Sequence, residues 1–416
     1  MEKTVVITVL MLIFGKLCWE SFLSWLNMQE ARRRQKAPPL EILEVMDQKT
    51  YQKSVDYSLA KERLGLFNGV YEVLVLILIL FSGVLPWLYS LFSGPGSEIS
   101  ILREAAFMIA ALILISLPGV PLEYYNRFNL EERFGFNRST VRLWVTDKFK
   151  GLVISLVLGM PVLCLIIFLV MNLGDLWWLW AFLALFIFQL IMMVLYPMII
   201  LPWFNKLTPL PQGELRQRLM NLADRTGFKA RTIQVMDGSK RSGHSNAFFT
   251  GFGRFRRIVL FDTLIDQMKE DELEAVLAHE IGHYKKGHVP RMLAVSALMS
   301  LAGLWILAWL VSVPWFIQAF GFDHELSGPG PGLLLFGLLF GAVSFWLSPA
   351  LAQLSRKHEY ESDRFAARHV GPDPMVRALR KLSRENLSNL TPHPLYSGFY
   401  YSHPTLFERE RAIAGQ

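Results

Sequence analysis

The sequence predicts a multi-span α-helical membrane protein with seven transmembrane helices and a small cytosolic α/β domain. Of the 416 residues, 52% are hydrophobic and only 19% are charged, and the mean hydropathy is +0.32. These values are typical of a chain in a bilayer and not of a soluble one. Seven apolar runs have about the length of 20 helical residues that crosses the hydrocarbon core, or exceed it. The basic residues lie almost entirely between alternate runs, which predicts the orientation.

Six of the apolar runs carry no charged residue: 73–97, 105–122, 151–174, 176–205, 292–322 and 326–355. A seventh run, 4–27, contains Lys16 and Glu20, which we expect to face a protein interior or a watery cavity. No small-residue cleavage site follows its apolar part. We therefore expect this run to be a retained membrane anchor and not a signal peptide.

The distribution of Lys and Arg predicts which side of the membrane each connection occupies. Segments 28–65, 123–150, 204–291 and 356–416 carry 39 of the 42 Lys and Arg residues, whereas the connections on the opposite side carry none. Because cytosolic connections are rich in these residues, we expect an N-terminus outside the cytosol and a cytosolic C-terminus. The net charge of +7 is then a topology signal, and nucleic acid is not an expected partner.

This topology divides the chain into four parts. Residues 1–203 supply five membrane helices with cytosolic connectors 28–65 and 123–150, residues 204–291 a cytosolic catalytic domain, 292–355 two more membrane helices, and 356–416 a C-terminal catalytic portion. The amphipathic pattern of connector 28–65 predicts a surface helix at the cytosolic leaflet. Within 204–291, the patterns predict a helix at 214–226 and strands at 233–236, 244–249 and 257–261, with the second strand closed by a Thr250–Gly253 turn.

The helix predicted over residues 270–284 carries the sequence His279-Glu-Ile-Gly-His283. Histidines at positions i and i+4 lie on one helix face and suit two nitrogen ligands of a tetrahedral zinc ion. Glu280 beside them is the expected catalytic base, which takes a proton from the attacking water and returns it to the leaving amine. The pattern thus predicts a zinc metallopeptidase. We expect His288, five residues further on, to face elsewhere and not to bind metal.

An acidic cluster at residues 355–363 is the candidate source of the third ligand that a catalytic zinc requires. Glu359 and Asp363 share one helix face, so one can bind the metal while the other orients a ligand histidine. His358 and Glu361 point away from that face, and we expect them on a solvated surface.

Both parts of this site adjoin predicted membrane spans. His283 lies nine residues before the span that begins at Met292, and Glu359 lies four residues after the span that ends at Ser355. If both helices continue unbroken, the ligands lie within roughly 6 to 14 Å of the membrane boundary. A peptide cleaved there is expected to be tethered to the membrane, lipid-modified or drawn from a membrane protein.

The chain resembles the type I CAAX prenyl endopeptidases, a family of integral-membrane zinc proteases, over nearly its full length. Five stretches are similar, in order, to the family motifs EERxGFN, SNAYFTG, HExxH, SRxxEYxAD and SHPPLxER. These stretches are Glu131–Asn137, Ser245–Gly251, His279–His283, Ser355–Asp363 and Ser402–Arg409. Ser362 and Thr405 replace an Ala and a Pro of the last two motifs, and neither change removes a ligand.

The resemblance implies roles for residues that spacing leaves open. It implies Glu359 as the third ligand of one Zn²⁺ per chain, and Asp363 as the residue behind the metal ligands. It implies that the strand with Asn246, Ala247 and Phe248 pairs with an extended substrate. His403 is implied to stabilise the tetrahedral oxyanion.

The resemblance also implies a large chamber enclosed by the seven helices, and prenylated CAAX proteins or peptides as substrates alongside the membrane lipids. One alternative is the related heat-shock membrane zinc protease, which degrades damaged membrane proteins but resembles only the catalytic portion. Another alternative, from a different class, is a channel or transporter with an incidental HExxH.

Overall fold

Seven long apolar helices dominate the computed structural model, which describes residues 1–92, 99–228, 232–250 and 257–415. Each is long and apolar enough to cross a bilayer. Within the described residues they are Glu2–Lys36, Gln48–Phe81, Ile101–Phe134, Val141–Asn172, Gly174–Phe204, His288–Val311 and Gly330–Val370. The predicted number of spans is therefore confirmed. The predicted second span, 73–97, is not one helix, since the chain turns after Phe81, and its expected end lies outside the described residues.

The expectation of a separate surface helix in connector 28–65 is wrong. The first membrane helix continues to Lys36 and the second begins at Gln48, so most of the connector extends these two helices. Most of its apolar residues, including Tyr51 and Val55, are buried in the core of the soluble part, whereas Leu40 and Leu43 are exposed. An amphipathic pattern shows that one face is covered, and here the covering surface is protein and not lipid.

The charged residues of the first helix face a cavity, as the sequence predicts. Lys16 Nζ lies 3.7 Å from a carboxylate oxygen of Glu20. Both residues line a cavity of about 470 Å³ between the first, second and seventh membrane helices, together with Tyr396 and Tyr400 of the helix Pro394–Tyr400. Charged groups in apolar helices therefore meet each other and polar neighbours, which avoids the cost of exposing them to lipid.

Among the described residues, a four-stranded sheet forms the β part of the soluble region. Its strands are β1 Leu207–Pro209, β2 Ile233–Met236, β3 Ala247–Thr250 and β4 Arg257–Phe261, in the order β1-β2-β4-β3. Strands β2 and β4 are parallel, and the two outer pairs are antiparallel. Strands β2 and β4 match the prediction, β3 begins three residues later than predicted, and β1 was not predicted. Strand β3 lies at an edge, so one side of its backbone has no strand partner within the described residues.

The remaining helices surround this sheet or connect the membrane helices. They are Leu40–Leu43, Val84–Phe92, Glu214–Arg225, Asp262–Gln267, Glu270–Lys285, Pro314–Gln318, Pro372–Glu385, Pro394–Tyr400 and Leu406–Ala414. We call Glu270–Lys285 the HExxH helix. We call Ser348–Val370, the last part of the seventh membrane helix, the Glu359 helix.

Close packing between the HExxH helix and the Glu359 helix brings the two parts of the predicted site together. A Cβ atom added at Gly282 would lie only 3.0 Å from Ser362 Cα, so a larger residue would push the two helices apart by a few tenths of an ångström. On the HExxH helix, Leu277 and Ile281 are completely buried in the core of the soluble part. The helix ends before Gly287, whose φ of 69° is left-handed. The helix therefore does not continue into the next membrane span, contrary to the assumption behind the estimated distance from the membrane.

Candidate metal centre and active site

His279, His283 and Glu359 direct one potential ligand atom each towards a common point. The two Nε2 atoms are 3.1 Å apart, and the Glu359 carboxylate oxygens lie 3.3 Å from His279 Nε2 and 3.2 Å from His283 Nε2. Donors bound to a tetrahedral zinc ion at about 2.0 to 2.1 Å would be roughly 3.4 Å from one another. The three donors are therefore spaced as a zinc ion requires.

The electrostatics of the site also fit a divalent cation. Oxygen Oε2 of Glu359 is buried and makes no hydrogen bond within the described residues. Among the described residues, the carboxylates of Glu280, Glu359 and Asp363 lie at this site, and Arg409 contributes one permanent positive charge beside Glu359 and Asp363. A bound dication would offset the excess negative charge and give the unpaired oxygen a partner. The chemistry and spacing of the donors both fit zinc.

Behind the donor atoms, a buried carboxylate fixes the orientation of His279. Asp363 Oδ1 lies 2.9 Å from His279 Nδ1, which leaves Nε2 directed at the ligand group. Arg409 donates two hydrogen bonds to Asp363, at 2.7 and 2.6 Å. Burial opposes the charged imidazolium, but hydrogen bonds to Asp363 and Glu359 outweigh burial and raise the pKa of His279 to about 9. Helical spacing placed Asp363 on the same face as Glu359, but nothing in the sequence assigned Arg409 a role, although Arg409 ends one of the matched motifs.

Glu280 lies beside the ligands without belonging to their group. Burial raises the pKa of its carboxyl, although the nearby imidazoles of His279 and His283 and the backbone N–H of Phe249 in β3 favour the charged form. A carboxylate whose pKa lies closer to neutrality is a stronger proton acceptor at working pH. The position and chemistry of this carboxylate therefore suit a general base.

His403 approaches the same centre from the C-terminal segment. Its Nε2 lies 3.3 Å from a carboxylate oxygen of Glu359, and its side chain is 64% exposed. Its Nδ1 lies 3.0 Å from Ser402 Oγ, which restrains the ring. The geometry leaves this imidazole beside the ligand group on the side open to solvent, where a substrate carbonyl can reach it.

The predicted substrate strand meets the site through its backbone. Asn246 is exposed just before β3, and Ala247 is buried. The Phe248 side chain points to the opposite face of the sheet, where its ring lies 6.2 Å from that of Phe261. The register turns the backbone N–H and C=O of Phe248 towards β4, so Ala247, and not Phe248, presents these groups on the open side of the strand. Gly251, the last residue of the matched stretch, lies outside the described residues.

The chain just before β3 is held by two distant segments. The amide of Asn386 accepts a hydrogen bond from Ser245 N at 3.1 Å and donates one to Ser245 O at 3.3 Å. Phe136, from the first matched stretch, stacks on His244 with ring centroids 3.9 Å apart. Glu131, at the end of a π-helical turn, lies 3.4 Å from His244 Nε2. Through these contacts, the first matched stretch and Asn386 hold the residues that precede β3, although neither segment carries a metal ligand.

The expected surroundings of three other residues are wrong, although His288 is, as expected, not one of the three converging donors. His288 does not continue the HExxH helix, because left-handed Gly287 turns the chain back and brings His288 Nδ1 to 3.0 Å from His283 Nδ1. His358 does not lie on a solvated surface, and the Glu361 side chain is only 19% exposed. His358 is 4% exposed and stacks on His288, and Glu361 Oε2 is 3.0 Å from His288 Nε2. Helical spacing alone missed these contacts because the Glu359 helix is covered on more than one face.

Ser362 provides a test of the packing between the two ligand-bearing helices. The family motif SRxxEYxAD has Ala at this position. Ser362 is completely buried, and its Oγ atom has no hydrogen-bond partner within the described residues. Burying an unpaired hydroxyl costs about 1 to 3 kcal/mol. We expect Ser362→Ala to raise the thermal midpoint of the detergent-purified protein and to leave its zinc content unchanged. A lower midpoint would show that the hydroxyl is paired, and Ser355→Ala, a partly exposed position on the same helix, is the matched control.

Comparisons with known proteins follow the division seen in the structure. Residues 27–206 match the CAAX prenyl protease N-terminal domain with five membrane helices, and residues 209–416 match peptidase family M48. The chain belongs to the CAAX prenyl proteases of family M48. CAAX prenyl protease 1 of Saccharomyces cerevisiae is 37% identical over 426 residues, which cover 95% of this chain and 92% of that protein. The Homo sapiens homologue is 31% identical and covers 99% of this chain and 96% of its own length.

A solved structure supports the same assignment. The crystal structure of S. mikatae Ste24p has a TM-score of 0.90 and 34% identity, and the match covers 97% of this chain and 98% of that one. This M48 member is thus an integral, multi-pass membrane zinc metalloprotease that hydrolyses peptide bonds. The predicted fold class, enzyme class and metal are confirmed, and the channel alternative is excluded.

Proposed function

We propose that His279, His283 and Glu359 bind the catalytic zinc ion and that Glu280 is the general base. The observation that carries this proposal is the convergence of three donor atoms 3.1 to 3.3 Å apart beside a carboxylate whose pKa is raised by burial. Bound zinc supplies Lewis-acid polarisation of the scissile carbonyl and lowers the pKa of the attacking water. Asp363 holds His279 with its Nε2 directed at the metal.

The side chains around this centre divide the remaining work of hydrolysis. Glu280 accepts a proton from the attacking water and transfers it to the amine of the leaving peptide. His403 donates an N–H hydrogen bond to the oxygen of the scissile carbonyl as negative charge develops on it. The unpaired side of β3, from Asn246 through Ala247 and Phe248, binds the substrate backbone as an added strand and fixes the scissile bond in register.

The substrate class we propose is the C-terminal region of prenylated CAAX proteins or peptides. The curated relatives in yeast and human are named CAAX prenyl protease 1 and its homologue, and the matches span nearly the whole of each chain. The site also lies where the HExxH helix and the Glu359 helix each adjoin an apolar membrane helix. A lipid-modified chain end would be held at this depth by its lipid.

The catalytic region is proposed to comprise residues 204–291 and 356–416 and to face the cytosol with the C-terminus, while the N-terminus lies on the opposite side. A single hydrophobic core joins residues of both segments, including Leu277, Ile281, Met375 and Leu406. The basic connections support this orientation, because Lys and Arg are retained on the cytosolic side.

Paired substrates test the proposed function directly. Detergent-purified full-length protein is given a farnesylated CAAX peptide and the same peptide without the lipid, and cleavage is followed by mass spectrometry. We expect cleavage after the modified cysteine and at least about tenfold higher kcat/KM for the farnesylated peptide, which corresponds to roughly 1.4 kcal/mol of lipid recognition. Equal rates for the two peptides would refute prenyl recognition, and cleavage that survives Glu280→Ala would refute the assigned site.

A further inference from the structure

We propose that His288 and Glu361 are positioning residues that hold the zinc ligand His283 through a partly buried chain of two hydrogen bonds. His288 Nδ1 lies 3.0 Å from His283 Nδ1, and His288 Nε2 lies 3.0 Å from Glu361 Oε2. His288 is 3% exposed, whereas the side chains of His283 and Glu361 are 23% and 19% exposed, so the chain is buried at its middle and partly exposed at both ends. This proposal rests on the assignment of His283 as a ligand under the proposed function.

The proton positions along this chain follow from its acidic end. A carboxylate only accepts hydrogen bonds, so His288 Nε2 carries the proton that points to Glu361. In a neutral imidazole the other nitrogen is then an acceptor, so His288 Nδ1 accepts from the Nδ1–H of His283. His283 is left with its lone pair on Nε2, the atom that lies 3.2 Å from Glu359 Oε1. The chain therefore selects the tautomer of His283 that can bind zinc.

The two ligand histidines are thus held in different ways. His279 contacts Asp363 directly, at 2.9 Å, and Arg409 secures that carboxylate. The Nδ1 atom of His283 is instead linked to the carboxylate of Glu361 through the imidazole of His288. Arg291 lies 3.5 Å from Glu361 and partly balances its charge.

Two further features fix the intermediate ring. Gly287 adopts a left-handed conformation that turns His288 back towards His283 at the start of the next membrane helix. The ring of His358 stacks on that of His288 with centroids 4.1 Å apart and planes inclined by 13°. His288 is therefore held by a backbone turn, a stacked ring and two hydrogen bonds.

Two amide substitutions at His288 separate the hydrogen bond to His283 from the rest of the environment. The side-chain oxygen of His288→Asn can take the place of Nδ1 and accept from His283. The longer side chain of His288→Gln places its amide where Nε2 lay, near Glu361, and leaves His283 without its acceptor. Both variants lose the stacked ring, so the difference between them reports on the contact with His283.

The measurement is zinc affinity of the full-length, detergent-purified proteins by competition with a chelating dye, with thermal midpoints recorded on the same samples. Since loss of an outer hydrogen-bond partner weakens metal binding by about 10- to 100-fold, we expect that loss for His288→Gln and at most about a threefold loss for His288→Asn. His288→Asn should therefore keep most of the zinc affinity, whereas general destabilisation would lower the zinc affinity of both variants.

Equal zinc affinities for the Asn and Gln variants would overturn the proposal, whether both are high or both are low. His283→Ala serves as the reference for the ligand itself and is expected to lose zinc completely at chelator concentrations that wild type withstands. If His283→Ala kept its zinc, the ligand assignment would be wrong and the positioning role would fall with it. Loss of zinc in His283→Ala with no difference between Asn and Gln would leave the ligand assignment standing and overturn only the positioning role.

Discussion

Glu280→Gln is expected to lower kcat by about 10²- to 10⁴-fold while the protein keeps its zinc. The substitution preserves the size of the side chain but removes the group that accepts a proton from the attacking water. Glu280 is not one of the three converging donors, so the metal centre should remain intact. The measurement is single-turnover cleavage of a farnesylated CAAX peptide by protein whose zinc content has been determined on the same sample.

The pH dependence of the wild-type enzyme provides an independent check of this role. Burial raises the pKa of Glu280 above its ordinary value of 4.5. The active form of a general base is the deprotonated one, so kcat/KM should fall as the pH drops through that raised pKa, above pH 4.5. The residual activity of Glu280→Gln should lack this acid limb. An unchanged limb in the variant would assign the titration to another group, and unchanged kcat would remove Glu280 from the mechanism.

The membrane part of the fold could be predicted from the sequence because its physical rules are local. A run of about 20 apolar residues and a bias of Lys and Arg need no knowledge of the partner segments. Even Lys16 and Glu20 followed such a rule, since charged residues inside a span must face a polar interior. The prediction for connector 28–65 failed because it required knowledge of the packing partner. Its amphipathic pattern shows that one face is covered but does not say by what, and the core of the soluble part covers it.

In the candidate site, too, the residues that lie close in sequence could be predicted, and those that only the fold brings together could not. His279, Glu280 and His283 lie within five residues on one helix, so spacing alone predicts that they act together. Spacing also placed Glu359 and Asp363 on one face, but only the resemblance chose between them. His288 and Glu361 are 73 residues apart, and they meet because a left-handed glycine and a close helix contact bring them together. No periodicity in one segment contains such information.

Asp363→Ala is expected to damage both stability and metal binding, and the two effects can be separated. Asp363 is 1% exposed and binds both His279 Nδ1 and the guanidinium of Arg409. Its removal takes away the carboxylate that accepts both hydrogen bonds from the buried Arg409 and leaves that guanidinium only the longer contact with Glu359, at 3.6 Å, which should lower the free energy of unfolding by about 3 to 5 kcal/mol. It also removes the acceptor that orients His279, which should weaken zinc binding by about 10- to 100-fold. Thermal midpoints and chelator competition measure the two effects.

The double variant with Asp363→Ala and Arg409→Met distinguishes these causes. Removing both members of a buried ion pair eliminates the poorly paired charge, so much of the lost stability should return. Zinc affinity should remain low, because His279 still lacks the carboxylate that fixes its tautomer. Arg409→Met alone keeps the contact between Asp363 and His279 and is expected to retain zinc more tightly than either variant without Asp363. If zinc affinity recovered together with stability in the double variant, Asp363 would serve the site only by neutralising Arg409, and its role in orienting His279 would be wrong.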